Sequence, residues 1–185
     1  MENKPINNEK GTENNCKNPP GQRGCEGLNQ LLEYLQEVSD PEIPVLSIVD
    51  LGIVRNIETS GGETVISITP TYTGCPAMRT IEDDIAAKMR EKGLENFRIK
   101  TVLAPAWTTD WISENGRKKM LEYGIAPPEK GGTGNQFRSR FPKKIICPHC
   151  GSDDTGMKSF FGSTPCKALY ICKQCKEPFD YFKCI

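Results

Sequence analysis

Apolar side chains recur with helical spacing over residues 28–38, where Leu28, Leu31, Leu32, Leu35 and Val38 fall on one face. The pattern predicts an amphipathic helix. Ser39-Asp40-Pro41 ends it, because the residue before a proline is pushed out of the helical region. A second turn follows at Ile43-Pro44, and Val45–Val49 is a short apolar run. Residues 53–59 then alternate, with Ile53, Arg55 and Ile57 on one side. Gly61-Gly62 marks a hairpin turn, and residues 64–70 return as a strand. A loop over 71–75 leads to Pro76, suited to the first position of a helix, where its missing N–H removes no bond. Met78, Ile81, Ile85 and Met89 give a helix over 77–91, with Gly93 as its C-terminal cap. A strand over 97–103 and a helix over 112–124 complete the order α-β-β-α-β-α.

The fold class is therefore α/β (α+β), a small mixed sheet with helices, followed by a cysteine-rich module. Four segments are expected: a tail at 1–26, an α/β domain at 27–126, a linker at 127–142 and a metal module at 143–185. In the tail, Met1, Ile6 and two cysteines are the only apolar side chains apart from prolines, too few to offset the entropy of ordering, so it reads as disordered. The linker begins with PPEKGGTGNQ, a composition that favours flexible chain.

No apolar run approaches the roughly 18 residues of a membrane span. No signal peptide is legible either, so the nine cysteines read as thiols or metal ligands in a reducing cytoplasm. The formal charge is zero overall, but residues 137–185 carry nine basic and four acidic side chains. An ion held by four thiolates lowers that excess by about two charges, which leaves no concentrated basic stripe for nucleic acid.

Cys147-Pro-His-Cys150 and Cys172-Lys-Gln-Cys175 are two C-x-x-C pairs with 21 residues between them. Each pair can present two thiolates from one tight turn, and two such turns complete a tetrahedral site. Gly151 can relax the first turn. About forty residues bury too little to fold unaided, so metal affinity becomes folding energy. Zn2+ is the expected ion, with a rubredoxin-like iron as the alternative. Phe160, Phe161, Leu169, Tyr170 and Ile171 are expected to cover the module. Cys166 and Cys184 read either as small buried apolar residues or as extra metal ligands, and His149 reads as solvent-facing.

Cys75 precedes the second helix, where the positive end of the helix dipole favours a thiolate. It is a candidate nucleophile or soft-metal ligand, or else an inert buried thiol. The only histidine, His149, lies in the other module, which leaves a cysteine hydrolase without its base. Asp40, Glu42 and Asp50 gather in loops near the first strands, a weak signal that reads as turn and capping carboxylates. Trp107, Asp110 and Trp111 follow the last strand, in the core or on a docking surface.

The stretches SDPEIPVLSIVDLGIVRNIE and VISITPTYTGCPAM resemble the iron–sulfur cluster assembly domain of metal–sulfur cluster biosynthesis proteins. With TVLAPAWTTDWISENGRKKMLEYGIAPP and the C-terminal cysteines, the chain from about 28 to 185 resembles the D-subunit family of 1,2-phenylacetyl-CoA epoxidase. That system is the multicomponent oxygenase of aerobic phenylacetate degradation. The resemblance implies a cytoplasmic accessory subunit without catalysis of its own, working beside subunits that carry the di-iron centre and the reductase. It implies transient iron or an iron–sulfur cluster at Cys75, with Asp40, Glu42 and Asp50 in the family's Asp-Pro-Glu and Asp-Leu-Gly motifs. Cys16 and Cys25 lie outside the resemblance. Three roles follow: a maturation factor, a stable docking subunit of the oxygenase, or, on charge alone and more remotely, a nucleic-acid-binding ribbon. A homodimer is compatible with each.

Overall fold

A computed structural model describes residues 23–129 and 145–183. Residues 1–22, most of the expected linker, and Cys16 and Cys184 lie outside the described residues. The chain forms two compact units. One comprises the described residues through Pro70 together with Gly74–Trp107; the other holds Thr71–Thr73 and the described residues from Thr108 onward. Among the described residues, no helix is long and apolar enough to cross a membrane.

The first unit contains α1 (Arg23–Gln36), β1 (Val54–Ser60), β2 (Glu63–Ile68), α2 (Ala77–Glu91) and β3 (Phe97–Thr101). The helix α1 begins before the expected Leu28, because each residue added to an existing helix gains a hydrogen bond. Its predicted face is the packed one: Leu35 and Val38 are buried, and Leu28, Leu31 and Leu32 are half-buried. β1 and β2 form the expected hairpin, with Gly61 at φ 61° and Gly62 at φ 83°, as a tight two-residue turn requires. β2 and β3 are parallel, joined through α2, and the sheet order is β1-β2-β3.

α2 has the predicted bounds but a slightly rotated face. Ala77 is buried in place of Met78, together with Ile81, Ile85 and Met89, at a strict spacing of four. Gly93, at φ 79°, closes the helix. The N–H of Leu94 reaches the Met89 carbonyl and that of Gly93 reaches the Arg90 carbonyl, both at 2.9 Å, which is the Schellman arrangement.

The apolar run Val45–Val49 forms turns, with Ser47 in an isolated bridge to Ser39. Leu46 and Ile48 are wholly buried, yet they lie in successive turns. Pro41 and Pro44 offer no N–H for a ladder. The Asp40 carboxylate instead accepts the backbone N–H groups of Glu42 at 2.9 Å and Ile43 at 2.8 Å.

The second unit contains a 3-10 turn at Thr109–Trp111, α3 (Glu114–Glu122), β4 (Ile125–Ala126), β5 (Thr155–Ser159), β6 (Lys167–Cys172) and β7 (Pro178–Phe182). Its sheet order is β4-β7-β6-β5. The short β4 pairs with β7 in parallel, so the chain from Thr108 onward packs with the cysteine module. Ser113 caps α3 by accepting the Gly116 N–H at 2.9 Å. Buried Arg117 donates to the carbonyls of Thr109 and Pro128, fastening α3 to the chain on both sides. The core comprises Ala126, Ile145, Ala168, Tyr170, Phe179 and Tyr181 around Cys147 and Cys172. Phe160 and Phe161, expected to cover this core, are exposed instead.

Replacing Ile85 by Ala removes a wholly buried side chain from the α2 face. It is expected to lower stability by about 2–5 kcal/mol in chemical denaturation. A change within experimental error would contradict the assigned core.

Candidate metal centre and the Cys75 loop

Cys147 and Cys150 occupy the turn between β4 and β5, and Cys172 and Cys175 the turn between β6 and β7. The two turns share one hydrogen-bond plan. The N–H of Gly151 donates to the Cys147 carbonyl, and that of Lys176 to the Cys172 carbonyl, at 2.9 and 3.0 Å. The N–H of Cys147 donates to the Ser152 carbonyl and that of Cys172 to the Glu177 carbonyl. The residue after each second cysteine is left-handed, Gly151 at φ 75° and Lys176 at φ 66°. Gly151 adopts this at no steric cost, whereas Lys176 is held there by the knuckle around it.

These turns bring four sulfurs within 4.8 Å of one another. Cys147 and Cys175 are 3.8 Å apart, and Cys150 and Cys172 are 3.5 Å apart. A disulfide needs about 2.05 Å. Metal–sulfur bonds near 2.3 Å in a tetrahedron place sulfurs about 3.8 Å apart. The residues therefore fit one tetrahedrally bound ion. Backbone N–H groups of Cys175 and Gln174 hold the Cys172 thiol down at about 6, against its burial. The Glu177 N–H favours the Cys175 thiolate, yet burial and the surrounding thiols push it up to about 12. Four thiolates cannot share this volume without a cation to offset their charge.

Among the described residues, these thiols are the only group of three or more potential ligands that converges. Cys166 lies outside it, six residues before Cys172 along β6 and so on the order of 20 Å away. Its sulfur is 3.0 Å from the Thr164 hydroxyl. His149 is exposed, with its ring over Gly124, where an added Cβ would meet Cε1 at 3.2 Å. Cys184 lies outside the described residues.

In the first unit, β1 and β2 run antiparallel and β2 and β3 parallel. The chain before β1 and the chains after β2 and β3 therefore emerge at one end of the sheet. There lie the Asp50 turn, the loop to Cys75 and the segment to Trp107. The Cys75 thiol is half-exposed between Gly74, at φ 85°, and Pro76, whose φ of −68° and ψ of −23° are already helical. No acidic residue occupies the first turn of α2 to neutralise its dipole. Asp50 is buried, and its N–H donates to the Ser47 hydroxyl at 2.9 Å. Asp40 is buried as a turn cap, and Glu42 is half-buried. Among the described residues, these carboxylates and the Cys75 thiol do not converge as a group of three or more ligand atoms. Trp107 is buried, and its Nε1–H donates to the Leu51 carbonyl at 2.9 Å, pinning the Asp50-Leu51-Gly52 turn. Spacing gave no sign of that anchor; the only signal was a tryptophan following a strand.

Among known proteins, residues 28–103 match the family model described as "Iron-sulfur cluster assembly protein", and residues 132–183 match "PaaD zinc beta ribbon domain". A protein of Escherichia coli (strain K12), provisionally named as the D-subunit of 1,2-phenylacetyl-CoA epoxidase, is 46% identical over 85% of this chain and 93% of its own length. A protein of Porphyromonas gingivalis named "Fe-S protein maturation auxiliary factor" is 34% identical over 51% of this chain and 89% of its own length. A solved Bacillus anthracis structure, titled as a domain of unknown function DUF59, is 26% identical, covers 50% of this chain and 89% of that one, and has a TM-score of 0.47.

Cys172→Ser is expected to abolish stoichiometric metal binding and to erase the ordered tyrosine signals of the second unit in near-ultraviolet circular dichroism. In the unaltered protein, the ion is expected to leave as pH falls, with uptake of more than one proton per ion, because each ligand must be deprotonated to bind. Metal retention by the serine variant would contradict the four-sulfur site.

Proposed function

Because the chain belongs to the D-subunit family of 1,2-phenylacetyl-CoA epoxidase, we propose that it is a cytoplasmic maturation factor for that oxygenase system, helping to install iron or an iron–sulfur cluster in a partner subunit. The observation that carries this reading is the half-exposed Cys75 thiol at the start of α2, in a unit that matches an iron–sulfur cluster assembly family. Its thiolate, favoured by the helix dipole, would accept a soft iron ion or cluster as cargo and release it to a better-furnished site. An incomplete ligand set suits transfer, because a closed cage would retain what it binds. Glu42 is half-buried, whereas Asp40 and Asp50 are buried, and it is the carboxylate assigned to assist. Asp40 and Asp50 act through the backbone, the first by capping its turn and the second from within the turn that Trp107 pins. No catalytic step is assigned to this chain.

The ion of the second unit is zinc in this reading, held by Cys147, Cys150, Cys172 and Cys175 and structural in role. Four protein sulfurs leave it no open position for a substrate.

Cys75→Ser is expected to leave both units folded and the tetrathiolate ion in place. Iron content and activity of the epoxidase matured beside it are expected to fall on the order of tenfold or more. Full iron loading and normal growth on phenylacetate with this variant would refute the cargo role of Cys75.

A further inference from the structure

The end of the ribbon away from the metal carries exposed aromatic residues on an unusually well-fastened loop. Met157 to Phe161 is one unbroken exposed run, with Met157 at 41%, Phe160 at 40% and Phe161 at 61% exposure. Side chains of this size are ordinarily drawn into a core, and the core beside them lacks neither Tyr170 nor Phe179.

The loop is built rather than slack. The Ser159 hydroxyl donates to the Phe161 carbonyl at 2.7 Å, and the Gly162 N–H reaches the Lys167 carbonyl at 2.8 Å. Buried Lys183 donates to the Phe160 carbonyl, and its ammonium lies 3.4 Å from the Phe160 ring centre and 4.2 Å from that of Phe161. The two rings meet edge to face at 5.0 Å. Burying a lysine is unfavourable, and here its hydrogen bond and its cation–π contacts hold the exposed pair in one orientation. A preorganised aromatic surface loses little entropy on binding, the property of an interface anchor.

The local charge narrows the occupant. From Thr155 to Lys176 there are four lysines and no acidic residue. Among the described residues near the aromatic pair, Lys167 is buried 3.7 Å from Asp180 and Lys183 is buried beneath the rings, so the exposed charge beside the plug is the cation of Lys158, whereas Asp153, Asp154 and Glu177 lie toward the metal. A second copy is disfavoured, because β5 presents Lys158 at a register irregularity between Met157 and Ser159, a feature that discourages pairing of sheet edges. Nucleic acid is disfavoured as well. Of the three lysines near the tip only Lys158 is exposed, far short of the six or more phosphate contacts usual for such binding.

We propose that Met157, Phe160 and Phe161 form a plug that seats in an apolar, acid-rimmed socket on a protein subunit of the oxygenase. The proposal rests on the reading that this chain serves that oxygenase. It is tested by titrating the intact, metal-loaded chain against each purified cognate epoxidase subunit. Phe161→Ala is expected to weaken binding by about tenfold or more, and Lys158→Glu by several-fold, with metal content unchanged. Undiminished binding by Phe161→Ala would overturn the plug and leave the maturation reading standing. Failure of the unaltered chain to bind any subunit would overturn both. Self-association, or binding to a single-stranded oligonucleotide, that Phe161→Ala abolishes would assign the surface to another occupant and overturn the proposal.

Discussion

Four sulfurs drawn within 4.8 Å of one another set the terms for the second unit. Neutral thiols have little reason to gather there, and four thiolates repel. A bound cation would turn that repulsion into attraction. The knuckles are shaped for it in advance, with matched hydrogen bonds and a left-handed residue after each second cysteine. The apolar core beside them is small, and two of its members are ligands themselves, Cys147 and Cys172. A core of this size is marginal alone, so fold and ion are coupled.

In the first unit, buried apolar side chains and backbone hydrogen bonds order the fold. Its sheet is covered by α1 and α2 residues spaced for burial, and the turns at one end of the sheet are fixed by hydrogen bonds. Thr69 donates to the Ile53 carbonyl, Val102 to that of Ile68, and Trp107 to that of Leu51. Those bonds hold the Asp50 turn and the segments that flank Cys75. The two units thus differ: the second gathers four sulfurs into one closed group, and the first carries a half-exposed Cys75 thiol at the start of α2.

Much of this was legible in the sequence where a period or a special backbone residue spoke. Ile81, Ile85 and Met89 declared α2, Gly61-Gly62 its preceding hairpin, and the two C-x-x-C pairs the convergent site. Legibility failed where position depended on distant chain. Leu46 and Ile48 sit in an apolar run too short to carry a period, and the two prolines and the Asp40 cap set its backbone into turns. The two-residue β4 is too short to carry a period, so nothing announced that α3 and β4 pack with the ribbon. The same blindness applied to Phe160 and Phe161. Their apolarity indicated a core, and only their fastening by Lys183 from β7's end reveals an outward surface.

X-ray absorption at the edge of the bound ion tests the central claim most directly. Four sulfur neighbours at about 2.3 Å, with no nitrogen or oxygen in the first coordination sphere, is the result this account predicts. A shell with imidazole nitrogen or bound water in place of one or more sulfurs would contradict it.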